Sequence, residues 1–182
     1  MSLFVLHTYG ILEHPDDHPA TQAFFETTPA VLASRENAAG MLRGDTAAFT
    51  SDGRPRKETS EFGGLVTPHF YDQSVKRISL VTLSVWTDPE SAAGYSYHGT
   101  HGDAFRKRSE WFRQDHSWPS SVLWWTEDIE SVNWNTANEK LAHLDEHGAS
   151  PEAFSFRSMY TSTGEETRMN NERVKEIGKS TN

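Results

Sequence analysis

A chain of 182 residues with no cysteine, 35 % hydrophobic and 12 % aromatic residues is long enough for one domain with an ordinary core. The missing cysteines exclude disulfides, thiolate nucleophiles, zinc–thiolate sites and iron–sulfur clusters. A net charge of −9, from 17 basic and 26 acidic residues, repels phosphate backbones, so nucleic acid is not an expected partner.

The N-terminal run Met1–His7 lacks a basic stretch followed by a long apolar run. It reads as a first strand, Leu3 to Tyr9, and not as a signal peptide. No stretch approaches the ~20 apolar residues of a membrane span, and a cytoplasmic location with no membrane partner is expected. Residues 10–19 form a loop broken by Pro15 and Pro19. Thr21 to Leu42 predicts a helix kinked at Pro29, with Phe24, Phe25, Val31, Leu32 and Ala39 available for a buried stripe. Residues 44–64 are polar and too long for an ordinary loop, which predicts an inserted segment that is either mobile or a lid. A second strand is expected from Gly64 to Tyr71.

Arg77 to Trp86 is the clearest strand. Ser79, Val81, Leu83 and Val85 share one face, and Ile78, Leu80, Thr82, Ser84 and Trp86 the other. Both faces are partly apolar, so this strand belongs at the centre of a sheet covered on both sides. Thr87-Asp88-Pro89-Glu90 starts a short helix through Ala92 and Tyr95. Thr100 to Asp103 starts another, running to Phe112, on which His101, Ala104, Phe105, Arg108 and Phe112 share a side. Val122 to Thr126 is the last strong strand. The capping box Thr136-Ala137-Asn138-Glu139 opens a helix that ends at His147 and Gly148. Residues 161–182 form a polar tail, expected to be frayed or helical, after a domain spanning 1–160.

This order suits an α+β fold: an antiparallel sheet with helices on one face. The bare face needs a cover. A second copy of the chain is the natural one, which predicts a homodimer enclosing a cavity for an apolar small molecule.

The run Leu83-Ser84-Val85-Trp86-Thr87-Asp88, followed by Tyr97, His101, Phe105 to Arg108, Glu110-Trp111-Phe112 and Val122-Leu123-Trp124-Trp125, resembles the family known as domain of unknown function 3291. So does the ending Leu141, Leu144 and His147 through Arg157. That family resembles a branch of the ferredoxin-like, dimeric α/β-barrel superfamily, which includes cofactor-free monooxygenases, haem-degrading enzymes, haem-dependent dehydratases, chlorite dismutases and spheroidene monooxygenase. The resemblance implies a dimeric α/β barrel with a ligand cavity and an oxygenase-like activity on an apolar or aromatic small molecule, within a biosynthetic pathway, with haem or with no cofactor. An isomerase, cyclase or dehydratase of the same fold, or a non-catalytic binding dimer, is the alternative.

In haem-binding relatives a helix histidine facing the cavity is an axial ligand. The resemblance therefore makes His101 a candidate haem ligand, with Phe105 covering the macrocycle and Arg108 meeting a propionate or a substrate carboxylate. Without haem, His101 and Arg108 are candidate catalytic groups; the bland alternative is local hydrogen bonding near a helix start. His7 and His69, both expected on strands, are further acid/base candidates, or else satisfied polar groups. Trp86, Tyr97, Trp111, Trp124 and Trp125 are candidate pocket walls, with most of the indoles expected in the core. Trp124 and Trp125, being adjacent on a strand, must point to opposite sheet faces. His14-Pro15-Asp16-Asp17-His18 has metal-ligand chemistry at unspecific spacing, and a solvated loop is the plainer reading. No phosphate-binding glycine loop, nucleophile elbow or helix-borne zinc pair is present.

Overall fold

The computed structural model describes residues 1–180. Four strands form an antiparallel sheet: β1 (Leu3–Ile11), β2 (Met41–Phe49), β3 (Ser79–Trp86) and β4 (Ser121–Thr126), in the order β2-β3-β1-β4. Helix α1 (Pro19–Glu36) connects β1 to β2, and α2 (Pro89–Tyr97), α3 (Gly99–Arg106) and α4 (Arg108–Trp111) connect β3 to β4. A β1-α1-β2-β3-α2-β4 order with this strand arrangement is the ferredoxin-like α+β fold. Helix α5 (Trp134–His147), a short hairpin of β5 (Met159–Tyr160) and β6 (Glu166–Thr167), and α6 (Asn171–Ser180) follow.

The central position expected for β3 is found: it pairs with β1 from Phe4↔Trp86 to Ile11↔Ser79, and with β2 on its other side. The start of α2 also follows the sequence. Asp88 is the N-cap, its carboxylate accepting from Ser91 N, and Pro89 comes next.

The middle of the chain differs from expectation. The first long helix ends at Glu36, and the segment expected to continue it and enter a lid instead forms β2. Its alternation is clear once paired: Asp45, Ala47 and Phe49 are buried on one face, and Gly44, Thr46 and Ala48 sit on the other. Small and polar residues on the second face hid the strand signal. Residues 64–71 form no strand. They belong to an irregular segment, 50–78, held to the sheet by the Lys57–Asp45 ion pair and by Glu61 N donating to Asp45 Oδ2 at 3.1 Å. The expected helix to Phe112 breaks at Lys107 into α3 and α4. The cap of α5 is Asn133, not Thr136; its side chain accepts from Thr136 N at 2.9 Å.

The two sheet faces are covered differently. Val5, Tyr9, Val81, Leu83, Val85, Val122 and Trp124 pack against Trp134, Ala137, Leu141 and Leu144 of α5 and against Phe62. The face for which a second copy was the expected cover is therefore closed by the chain's own α5 and by the segment the sequence suggested as a lid. Leu141 and Leu144 supply the apolar stripe that this needs. The polar tail takes the helical form of the two expected. Helix α6 docks on α2, with Val174 buried and Ile177 against Gly94. Residues 181 and 182 of the expected tail lie outside the described residues. Among the described residues, no helix is long and apolar enough to cross a membrane.

Candidate functional site

Helices α1 to α4 lie over the other face of the sheet, and the layer is not packed solid. At one end Phe4, Leu6, Trp86, Ala92, Tyr95, Leu123 and Phe154 form a cluster, and at the other Leu12, Ile78 and Leu80 pack with Phe24, Phe25 and Phe112. Between them is a chamber of about 360 Å³, within the usual range for small-molecule sites. Its roof is one helical stripe of α1: Phe24, Thr27, Thr28, Val31, Leu32 and Arg35. Only Thr21 of α1 is fully buried, because the chamber stands between this helix and the strands.

The chamber floor is polar. Thr46, Thr82, Thr8 and Ser121 are successive partners across the four strands, so their side chains form one row on the same face. Thr8 and Thr82 share a hydrogen bond at 2.7 Å, and Arg35 donates from a terminal guanidinium nitrogen to Thr46 Oγ1 at 2.9 Å. Gly44 makes room for that arginine: a Cβ there would meet Arg35 Nε at 3.2 Å and would collide with Met41 Cε.

His101 lines the same chamber. Local sequence places it: Gly99 at φ 55° turns the chain back, and Gly102 lies so close to α2 that an added Cβ would stand 2.5 Å from the Tyr97 carbonyl. The fold brings His101 Nδ1 to 3.0 Å from the Ser96 carbonyl. A carbonyl only accepts, so Nδ1 carries the proton and Nε2 the lone pair. Among the described residues no protein donor meets Nε2. Burial lowers the His101 pKa; the bond to Ser96 works against that shift, and the Arg35 charge adds to it. The imidazole is thus neutral near pH 7 and presents a base. Tyr95 packs against it with ring centroids 4.5 Å apart, and burial pushes the Tyr95 hydroxyl up to about 12. That hydroxyl donates to Val31 O at 3.2 Å and ties α2 to α1.

Of the residues proposed from sequence, His101, Phe105, Arg108, Tyr97 and Trp111 come together around the chamber. Arg108 is at the exposed rim, donating to Phe105 O at 3.1 Å with its guanidinium 4.2 Å from the Phe105 ring centroid. The others do not join them. His7 points to the opposite face, wholly buried beneath Trp134, with Nδ1 donating to Thr82 O at 2.8 Å and Nε2 unpartnered. His69 is exposed on the irregular segment, in a surface groove with His143 and His147. Trp86 is core beside Tyr95, its indole N–H bonded to Ser84 Oγ at 2.9 Å. Trp124 and Trp125 do point to opposite faces, but neither reaches the chamber. Trp124 packs in the α5 core, and Trp125 sits by Phe4 and donates to Tyr160 O at 2.8 Å. His14 and His18 stack at 3.8 Å, yet no group of three or more metal-ligating side chains forms among the described residues.

The sequence reading missed Arg35 and the hydroxyl row. Arg35 falls in the α1 stripe at the helical spacing from Val31, a signal present in the chain but read only for its apolar members. The hydroxyl row depends on strand register and had no local signal.

The residues present do not suit haem. His101 has an unbonded Nε2, and Arg35 or Arg108 would meet propionates, but a chamber of about 360 Å³ with a row of hydroxyls along its floor leaves too little apolar space for the macrocycle. The donor set suits an oxygen function or an anion.

Fold and chamber define an α+β protein of the ferredoxin-like class with a cavity under its helical layer, open at the Arg108 rim. The family model described as Domain of unknown function (DUF3291) matches residues 5–171, and the chain belongs to that family. A solved structure from Nitrosomonas europaea named "Putative antibiotic biosynthesis monooxygenase" is similar at 12 % identity and a TM-score of 0.41, over 72 % of this chain and 94 % of that one. No curated protein matches the chain significantly.

Proposed function

We propose that this chain is an oxygenase-like enzyme acting on a small, largely apolar or aromatic molecule, without a haem. One observation carries the reading: a neutral imidazole, its Nδ1 fixed by the Ser96 carbonyl and its Nε2 without a protein partner among the described residues, lines a chamber walled by Leu6, Phe24, Phe105, Trp111 and Phe112. A base of this kind removes a proton from an activated C–H or O–H group of a bound substrate. The resulting carbanion, or the delocalised enolate or phenolate, gives its electrons from carbon to dioxygen as co-reactant. For a CH2 centre, one oxygen atom ends as the product carbonyl and the other leaves as water, which balances without an added reductant.

The test is oxygen uptake over a panel of enolisable and phenolic bicyclic aromatics, with His101→Ala alongside. Uptake on at least one compound, lost about 10²-fold or more in the variant, supports the reading. No uptake across the panel, or an equal rate in the variant, overturns it. The same chamber also suits an isomerase, cyclase or dehydratase. In that case deuterium exchanges into the substrate through His101 while oxygen is not consumed.

A further inference from the structure

The chamber contradicts the charge of the chain that builds it. The protein carries a net −9, yet the residues lining the chamber include Arg35, Arg108, Arg113, His101 and His116 and not a single aspartate or glutamate. Each arginine has a different situation. Arg113 is neutralised by Asp115 through two bonds of 2.5 and 2.8 Å. Arg108 lies at the rim in water, spread over Phe105. Arg35 is half-buried at the inner end, pairs with no carboxylate among the described residues, and uses one of its five N–H donors on the neutral Thr46 hydroxyl. A guanidinium partly withdrawn from water without a counter-ion is less well solvated than a surface one, and an oxyanion beside it gains charge-assisted bonds.

We infer that the ligand of this chamber is an organic acid, an aromatic body carrying a carboxylate or comparable oxyanion, bound with that oxyanion against Arg35 and Thr46 and its rings toward Phe24, Trp111 and Phe112. Arg35 is thus a binding and specificity residue. Gly44 leaves room for its side chain, since an added Cβ would stand 3.2 Å from Arg35 Nε. This inference deepens the proposed function by naming the substrate class, and it rests on the same chamber being the ligand site.

The experiment is equilibrium binding, without turnover, of 2-naphthoate and its neutral amide 2-naphthamide, by calorimetry and by quenching of tryptophan fluorescence. In the unaltered protein the acid binds about tenfold or more tightly than the amide, the size expected of charge-assisted bonds at a half-buried site. Arg35→Gln removes the preference, Arg35→Lys keeps part of it, and Arg108→Gln leaves it in place. Arg35→Lys retains the charge and the stem, so it remains informative if the glutamine variant unfolds. The inference is overturned if the two probes bind equally, if neither binds at millimolar concentration, or if Arg108→Gln abolishes the preference while Arg35→Gln keeps it. Binding and oxygen uptake fail separately. Uptake that depends on His101, with no preference for the acid, sinks the organic-acid assignment and leaves the enzyme reading with a neutral substrate.

Discussion

His7 was a candidate acid/base group by residue type, and the structure makes it a buried structural histidine whose pH behaviour can be measured. Its ring is fully buried between Trp134 and the sheet, with Nδ1–H on Thr82 O. Burial lowers its pKa from 6.5 to about 4, the Thr82 bond opposing that shift. A folded-state pKa below the unfolded one means that protonation favours the unfolded chain. Stability is therefore full above pH 6.5 and falls as the pH drops toward 4. Linkage puts the loss from this one group at about 2 kcal/mol between pH 7 and pH 5, and about 3 kcal/mol by pH 4. In His7→Leu the titrating group is gone. That variant loses one hydrogen bond at pH 7, about 1 kcal/mol, but its stability should fall less steeply on acidification. Urea melts at pH 7, 6 and 5 read the two curves, and His101, which titrates in the same direction, is common to both. Curves that run parallel would show that His7 is hydrated or paired in the folded state and would refute its burial under α5.

Two further outcomes follow from packing. Trp134 is 2 % exposed, packs on Phe62 and His7, and donates to Ser60 Oγ at 2.7 Å, so Trp134→Ala should cost about 3–5 kcal/mol in chemical denaturation; a cost below about 1 kcal/mol would show that α5 does not close that face. Helix α6 approaches α2 through glycines on both sides: a Cβ on Gly94 would lie 2.7 Å from Ile177 Cγ2, and one on Gly178 would strike the His98 ring. Gly178→Leu should therefore release α6, seen as cleavage after Arg173 or Lys175 in limited trypsin digestion while the rest of the chain stays resistant.

The elements legible in the sequence were those whose pattern is local. β3 showed two apolar faces and proved central; Asp88-Pro89 showed a cap and proved to be one; His101, Phe105 and Arg108 shared a helical side and proved to share the chamber, despite a break at Lys107. What was hidden depends on tertiary pairing. β2 carries only the small or polar Gly44, Thr46 and Ala48 on its second face, with Thr46 at the chamber, so its alternation was too faint to read and its residues passed for helix and lid. The cover of the second face was misassigned because α5 carries only Leu141, Leu144, Ala137 and Trp134 as its inward set, a stripe that does not say which surface it seeks. The tryptophans misled for a related reason: size suits them to walls, but Trp86 and Trp124 satisfy the larger demand of filling the core on either side of the sheet.

Closing one sheet face with α5 changes what the other face can do. The chain has no need of a partner to bury Val5, Leu83 or Trp124, so the helical layer above the hydroxyl row can stand off the strands without loss of the main core. That separation puts a cation and a base side by side, Arg35 from the end of α1 and His101 from α3. Burial first, and the Arg35 charge after it, hold the His101 pKa down against the Ser96 bond, so the imidazole is a weak base. An oxyanion bound at Arg35 cancels that charge and adds an attraction of its own, which raises the His101 pKa. If cancelling the Arg35 charge outweighs the added burial, linkage makes the same ligand bind more tightly as the pH falls through the His101 titration, with proton uptake on binding. Substrate acidity and base strength are then one coupled device: the acid that fits the chamber also makes the imidazole better able to take its proton, and a neutral analogue of equal shape leaves it weak.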